Sequence, residues 1–403
     1  MHTSKWFRVI RWRYFIIFGF IVISLWMGYF ISSSQNYYRT EGKDFFALWL
    51  APKLLIEGKN PYNSLDWISA YDKYGANWVI DAKYLYPLPL AVILMPIGFL
   101  PLEYAAIIWI ALGILAIMFS IYLVLHVWHT TWQYTYLIPI VIGIFLLRPV
   151  AETLRLGQLD WLILLFLVGG FYFWRRNDWL LGGMMIALSV LKPQIGGPIL
   201  FFLSIWLLLR HRWSGIIGEG IAFFSIYIIG WLFNHAWIGE WLRYGTNKVE
   251  ENACCTPTLW GFASMTCGFN LKCGFVLGIF LTILLSVFIL FLLFRVQDND
   301  SSFAIGLSIP AALLISPYLW TYSQIILILP ILLITNIMRQ KKIAYLLVAT
   351  FPLVIGLISS SIVYISIGIG VDTISSIVPA IILLILVLFN KNPMIHKEPS
   401  ILV

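Results

Sequence analysis

Charge is what this sequence has least of. Only 11% of its 403 residues are charged, against about 25% in soluble domains. So few charges cannot cover a water-facing surface on a chain this long, which excludes an ordinary soluble enzyme. Histidine is also scarce, six in all, and no His-rich or closely paired carboxylate cluster calls for a metal or any other cofactor. Asp66, Asp72 and Asp81 are too evenly scattered to form a site and keep their loop solvated. The 26 basic residues gather in short segments rather than on one continuous face, so nucleic acid is not an expected partner. No A-x-A-like cleavage site follows the first apolar run, which argues against a removed signal peptide. No internal repeat is visible.

Apolar side chains are present in their place. Hydrophobic residues make up 61% of the chain and recur in long runs, so the expected fold is all-α: one polytopic membrane domain over residues 1–403. The first run, 14–32, follows Lys5, Arg8, Arg11 and Arg13, which predicts a cytoplasmic N-terminus in a cell membrane. Twelve further runs follow, at 86–100, 102–127, 133–147, 157–173, 178–191, 195–209, 214–235, 274–294, 303–317, 322–338, 343–362 and 373–390. Arg175/Arg176, Arg210/Arg212 and Lys341/Lys342 read as cytoplasmic turns, and Lys391, His396 and Lys397 place the C-terminus inside as well. Thirteen runs cannot join two cytoplasmic ends, so one is re-entrant or two merge, and about 12 helices are expected to cross. The suspects are 133–147 and the halves 178–191 and 195–209, broken at Lys192-Pro193-Gln194. Broken backbone at membrane depth survives only inside protein or beside a wet cavity.

Two polar loops are predicted outside. The first, 33–85, carries an amphipathic stretch, 47–57, expected as a short interfacial helix with Phe45, Leu48, Trp49 and Leu55 on its apolar side. Gly58 ends it and Asn60-Pro61 forces a turn. The second, 236–273, holds Cys254, Cys255, Cys267 and Cys273, which suggests disulfides in an oxidising compartment. Residues 254 and 255 would pair with 267 and 273 in one of two ways; four unbridged thiols are the alternative.

Several polar stations interrupt this background. Asp44 sits near the start of the interfacial helix, as a simple cap or as a functional acid at the mouth of a cavity. Gly157-Gln158-Leu159-Asp160 introduces an apolar run. Lys192, apolar on both sides and followed by Pro193, needs an anion unless it snorkels to an interface. Residues 315–324, Ile-Ser-Pro-Tyr-Leu-Trp-Thr-Tyr-Ser-Gln, set aromatic and hydroxyl groups into another run, as an aromatic belt would. Glu219 reads as a buried polar contact.

In order, Asp44-Phe45, Asn60-Pro61-Tyr62, Tyr86-Pro87, Gly157-Gln158, Lys192-Pro193 and Ser316-Pro317 resemble glycosyltransferase family 87, formerly DUF2029, over roughly residues 40–340. That family comprises GT-C glycosyltransferases and includes mycobacterial polyprenol-phosphate-mannose-dependent mannosyltransferases. The resemblance implies a GT-C-like bundle and an extracytoplasmic active site. A sugar, a hexose such as mannose or a pentose, would pass from a polyprenyl-phosphate donor to a lipid or glycan acceptor with inversion. Asp44 matches the first-loop general base. Lys192 is the first choice to bind the donor phosphate, with Arg148 and Arg155 second. Gln158, Asp160 and Gln194 are candidates to bind substrate, and Trp49, Tyr62, Trp320 and Tyr322 to stack on sugar faces. Mycobacterial members carry histidines where this chain has Tyr322 and Ser323, which puts the role of those histidines, and the sugar or acceptor, in question. The competing class is a lipid or polysaccharide flippase or other transporter, which has little use for a first-loop acid. A polymerase or ligase would centre on an arginine-rich external loop, and 236–273 holds only Arg243, Lys248 and Lys272.

Overall fold

The computed structural model describes residues 19, 43–74, 84–128, 134–243, 255–297, 300–341, 343–369 and 372–390. The N-terminal run apart from Gly19, the basic residues before it, Asp81, Lys248, Cys254, Lys342 and the basic C-terminal residues lie outside them. The described residues contain helices and no strand. Up to the first broken region these are α1 (Lys43–Ile56), α2 (Ser64–Lys73), α3 (Leu88–Ile93), α4 (Met95–Gly98), α5 (Leu102–Val127), α6 (Tyr134–Leu146), α7 (Arg148–Leu156), α8 (Asp160–Arg175) and α9 (Trp179–Ala187). There follow α10 (Pro193–Leu209), α11 (Trp213–Phe233), α12 (Leu259–Thr266), α13 (Leu271–Arg295), α14 (Ser301–Ile315), α15 (Ile328–Gln340), α16 (Tyr345–Ile369) and α17 (Ile377–Asn390). Tight 3₁₀ turns precede three of them, at Leu188–Leu191, Thr321–Leu327 and Asp372–Ser376.

Six helices among the described residues are long and apolar enough to cross a membrane: Leu102–Val127, Trp213–Phe233, Leu271–Arg295, Thr321–Gln340, Tyr345–Ile362 and Asp372–Phe389. A seventh counts if the pair Tyr136–Leu146 and Arg148–Leu156, bent by 55°, forms one broken span. Three shorter apolar helices, Trp179–Leu191, Pro193–Leu209 and Ser301–Ile315, add to these. The run 86–100 was expected to cross, and neither helix it forms is long enough to do so by itself. It is cut into α3 and α4, of six and four residues. Pro87, Pro89, Pro96 and Pro101 supply the reason, since each removes a backbone donor and crowds the preceding turn.

The chain divides into two compact units. The first comprises Met1–Tyr84, Ile93–Phe119 and Leu154–Gln158. Within it α1 packs on α2 and α4. A Cβ on Gly98 would come within 3.0 Å of the Lys53 backbone nitrogen, so the bare glycine lets α4 close on α1. The short helix expected over 47–57, with its apolar side in lipid or protein, is present, and Phe45, Leu48 and Trp49 of that side lie in protein. It starts at Lys43, and Phe45, Phe46, Leu48, Trp49, Leu50, Ala51 and Leu54 are all buried. Residues 45–51 are apolar without a break, and a helix apolar all round seeks enclosure rather than an interface. Beyond α1, Gly58 takes φ +71° and the Asn60 side chain accepts the Tyr62 N–H at 3.0 Å, making the expected turn. Glu57 accepts from Lys73 Nζ at 2.8 Å and from the Tyr74 hydroxyl, tying α1 to α2.

The second unit comprises Leu85–Val92, Ser120–Thr153 and Leu159–Val403. Here α9 packs on α11 and α6 on α16. Cβ atoms added at Gly183 and Gly218 would lie 2.2 and 2.1 Å from carbonyls of the facing helix, so small residues bring those backbones together, as is common between membrane helices. Left-handed Asn177 and His211, φ 60° and 53°, turn the chain back at the predicted basic pairs. α14 is buried along its whole length and packs on α10 and α17.

The disulfide expectation is also corrected. Cys267 bonds Cys273, six residues on, with Cα atoms 5.7 Å apart, and neither reaches the 254/255 pair. Left-handed Gly268 and Phe269 reverse the chain between α12 and α13 and bring the two cysteines into range. Cys273 thus lies in the first turn of α13 rather than in a loop.

Candidate active site

In the first unit the geometry gathers around Asp44. It lies in the first turn of α1, half-buried, and its Oδ2 accepts a hydrogen bond from Gln158 Nε2 at 2.6 Å. That contact joins residues 114 apart in the chain, so Asp44 is held by more than its own helix. The neighbouring residues explain the approach. Gly157 takes φ +67°, and a Cβ there would stand 2.4 Å from the Cβ of Phe45. The bare glycine therefore lets 157–158 lie against 44–45. Trp109 Nε1 donates to the Gly157 carbonyl at 2.9 Å, fixing the peptide that carries Gln158. Gln158 itself is only 2% exposed. Arg155, half-exposed, belongs to the same short segment, Leu154–Gln158.

In the second unit Lys192 is 2% exposed and Asp160 fully enclosed. Lys192 Nζ donates to both Asp160 carboxylate oxygens, at 2.8 and 2.7 Å, and to Ser323 Oγ at 3.1 Å. Its ammonium also lies over the Tyr322 ring, 4.7 Å from the centroid. An ammonium has three N–H donors, and these partners account for all three. The snorkelling alternative is excluded, because the head is buried in protein. The anion that the sequence demanded for Lys192 is Asp160, 32 residues earlier. The chain breaks here because Lys192, at φ −122° and ψ 80°, leaves the helical region ahead of Pro193, which opens α10 at its first position. Gln194 is half-exposed on that first turn.

The remaining candidates fall outside these two groupings. Arg148 is ion-paired with Glu152 one turn on, so it already has an anion. Trp49 is buried and donates to the Leu100 carbonyl at 2.9 Å, and Tyr62 is buried with its ring 5.8 Å from that of Tyr84. Both rings are thus packed within the first unit. Trp320 is half-exposed and donates to the Tyr318 hydroxyl at 3.0 Å. Glu219 is buried and accepts from Ser204 at 2.6 Å, as its reading as a polar contact anticipated. Among groups of the first unit, Lys73, then Tyr74, hold the Glu57 carboxyl below its ordinary range, and burial pushes Tyr71 up to about 12.

The sequence reading missed one acidic residue. Asp372, at the start of the last apolar run, accepts from the Thr321 N–H at 3.1 Å, from Thr321 Oγ1 at 2.6 Å and from Ser375 Oγ at 2.8 Å. It thereby pins the 315–324 break, which Thr153 also holds through the Tyr322 carbonyl at 2.9 Å. Its signal was a lone carboxylate between two apolar runs.

Comparison with known proteins gives two findings. The model of glycosyltransferase family 87 matches residues 84–317, more than half of the chain. A stretch of 128 residues is 30% identical to an alpha-(1->3)-arabinofuranosyltransferase of Mycolicibacterium smegmatis, covering 30% of this chain and 29% of that enzyme. No solved structure matches. Gln158, Asp160, Lys192 and Ser316-Pro317 fall inside the family match, and Asp44 precedes it.

Proposed function

Because this chain belongs to glycosyltransferase family 87, we propose that it transfers a sugar from a polyprenyl-phosphate donor to a hydroxyl of a lipid or glycan acceptor at the extracytoplasmic face of a cell membrane. The observation that carries this reading is the Asp44 carboxylate held by a buried amide in the first turn of α1. Asp44 takes the proton of the acceptor hydroxyl as its oxygen attacks the anomeric carbon from the face opposite the phosphate. The carbon–oxygen bond to phosphate breaks, its electron pair leaves with the polyprenyl phosphate, and the configuration inverts. A positioned base contributes typically about 10²–10⁴-fold. The polyprenyl chain supplies binding energy remote from the reacting carbon.

The leaving phosphate gains charge and needs a cation. The donors of Lys192 are taken by Asp160 and Ser323, and Arg148 is paired with Glu152. We assign the phosphate to Arg155 on position alone: it is half-exposed on the segment that ends at Gln158, the residue bonded to Asp44. A guanidinium suits a phosphate through paired N–H donors. The partial relative transfers an arabinofuranosyl group, which gives a pentose priority over a hexose.

Asp44→Asn is expected to abolish incorporation of labelled sugar from a polyprenyl-phosphate pentose into membranes of a strain lacking the gene, with yield and detergent behaviour unchanged. Retained turnover would remove the base. Arg155→Ala is expected to raise the donor KM and lower kcat, with Arg155→Lys between it and wild type; unchanged kinetics would return the phosphate to another cation.

A further inference from the structure

We propose that Gln158 is a positioning residue for Asp44: its side-chain amide, rather than touching sugar, fixes the carboxylate's orientation and holds it ionised. The inference rests on the reading of Asp44 as the base. Three observations carry it. The amide nitrogen lies 2.6 Å from Asp44 Oδ2, and an ionised carboxylate offers only acceptors, so this amide donates to it. The side chain is buried in protein, and its backbone is fixed by the Trp109 bond to the Gly157 carbonyl and by the left-handed turn at Gly157. The base and its holder therefore come as one preassembled piece, in which residues 44–45 face residues 157–158.

The chemistry follows from which protonation state the bond favours. Partial burial of a carboxylate disfavours its charged form, whereas an N–H donor favours it. A base must be ionised before it can accept a proton, and Gln158 offsets the burial. It also fixes the direction in which the carboxylate faces. The other ionisable groups on α1 and on the elements around it are Lys43 and Lys53 on α1, Arg155 beside Gln158, Asp66, Tyr71, Asp72 and Lys73 on α2, and Glu103 and Tyr104 at the exposed start of α5.

The test is the pH dependence of kcat in Gln158→Met, which keeps the volume, and Gln158→Glu, with radiolabelled polyprenyl-phosphate pentose as donor and gene-deleted membranes as acceptor. Loss of the N–H is expected to move the acid limb of the profile up by about one pH unit. A carboxylate at 158 should move it further, through like-charge repulsion. In both variants kcat falls by about ten- to a hundredfold while the donor and acceptor KM change by less than about threefold. If the KM values rise and the acid limb stays put, Gln158 binds substrate and the inference is overturned. If only thermal stability falls, its role is structural and the inference is again overturned. Asp44→Asn, run alongside, separates the two claims. Active Asp44→Asn removes the base itself, whereas inactive Asp44→Asn with an unmoved limb in the Gln158 variants removes only the positioning role.

Discussion

Replacing Lys192 with methionine removes the counter-ion of a carboxylate that has no access to solvent. Asp160 is fully enclosed, and both its oxygens accept from Lys192. Breaking a buried pair from one side costs about 3–5 kcal/mol, because the surviving charge is left in a low-dielectric interior. A typical fold has only about 5–15 kcal/mol in total, so the single variant should lose much of its heat resistance. Asp160→Asn should also destabilise, by stranding the ammonium. The double variant, Asp160→Asn with Lys192→Met, leaves no lone charge and should recover most of the loss. The assay is the fraction of detergent-solubilised protein that stays monodisperse after heating, measured for the four chains of the cycle. The folded double variant is then tested for transfer. The donor KM is expected to stay within a fewfold of wild type, because the ammonium is spent on Asp160 and Ser323. A Lys192→Met chain as heat-resistant as wild type, with donor affinity alone reduced, would refute this reasoning and give the lysine back to the phosphate.

Two further expectations concern the first unit. Gly157→Ala and Gly157→Asn should each lower turnover by about a hundredfold with modest effect on yield. Asparagine tolerates the left-handed dihedral, but either Cβ meets Phe45 at 2.4 Å and pushes α1 from the Gln158 segment; an active Gly157→Asn would show that this contact gives way. The Glu57 carboxyl is held below its ordinary 4.5, chiefly by Lys73 and then by Tyr74, so its contribution is present above that value and fades as pH falls through the lowered one. The difference in thermal stability between wild type and Glu57→Gln should therefore be largest near neutral pH and shrink below about pH 4.5; a constant difference would mean that packing, not charge, joins α1 to α2.

Much of the site was legible as residue types and much less as partnerships. Asp44, Gln158, Asp160 and Lys192 each stood out, since polar groups at the ends of apolar runs are costly. Which of them meet was hidden, because 114 and 32 residues of chain separate the bonded pairs. Trp49 was offered as a sugar platform because aromatic rings suit apolar C–H faces, whereas the unbroken apolar stretch 45–51 points to an enclosed helix. Hydropathy alone made a span of 86–100, and its prolines argued otherwise. The breaks at Lys192-Pro193 and Ser316-Pro317 were visible because proline acts locally. Asp372, which secures the second break, was not, because its partner there, Thr321, lies 51 residues upstream and only folding brings it near.

The bridge between Cys267 and Cys273 closes a stretch of six residues, and the entropy withdrawn from the unfolded chain grows with the logarithm of such a length. It behaves as a rivet on one corner and not as a brace for the whole frame. Its two thiols lie at the mouth of a single hairpin, so they can find each other as that hairpin forms, with no distant loop to wait for. Mild reductants should consequently loosen the α12–α13 corner and leave the rest of the bundle standing.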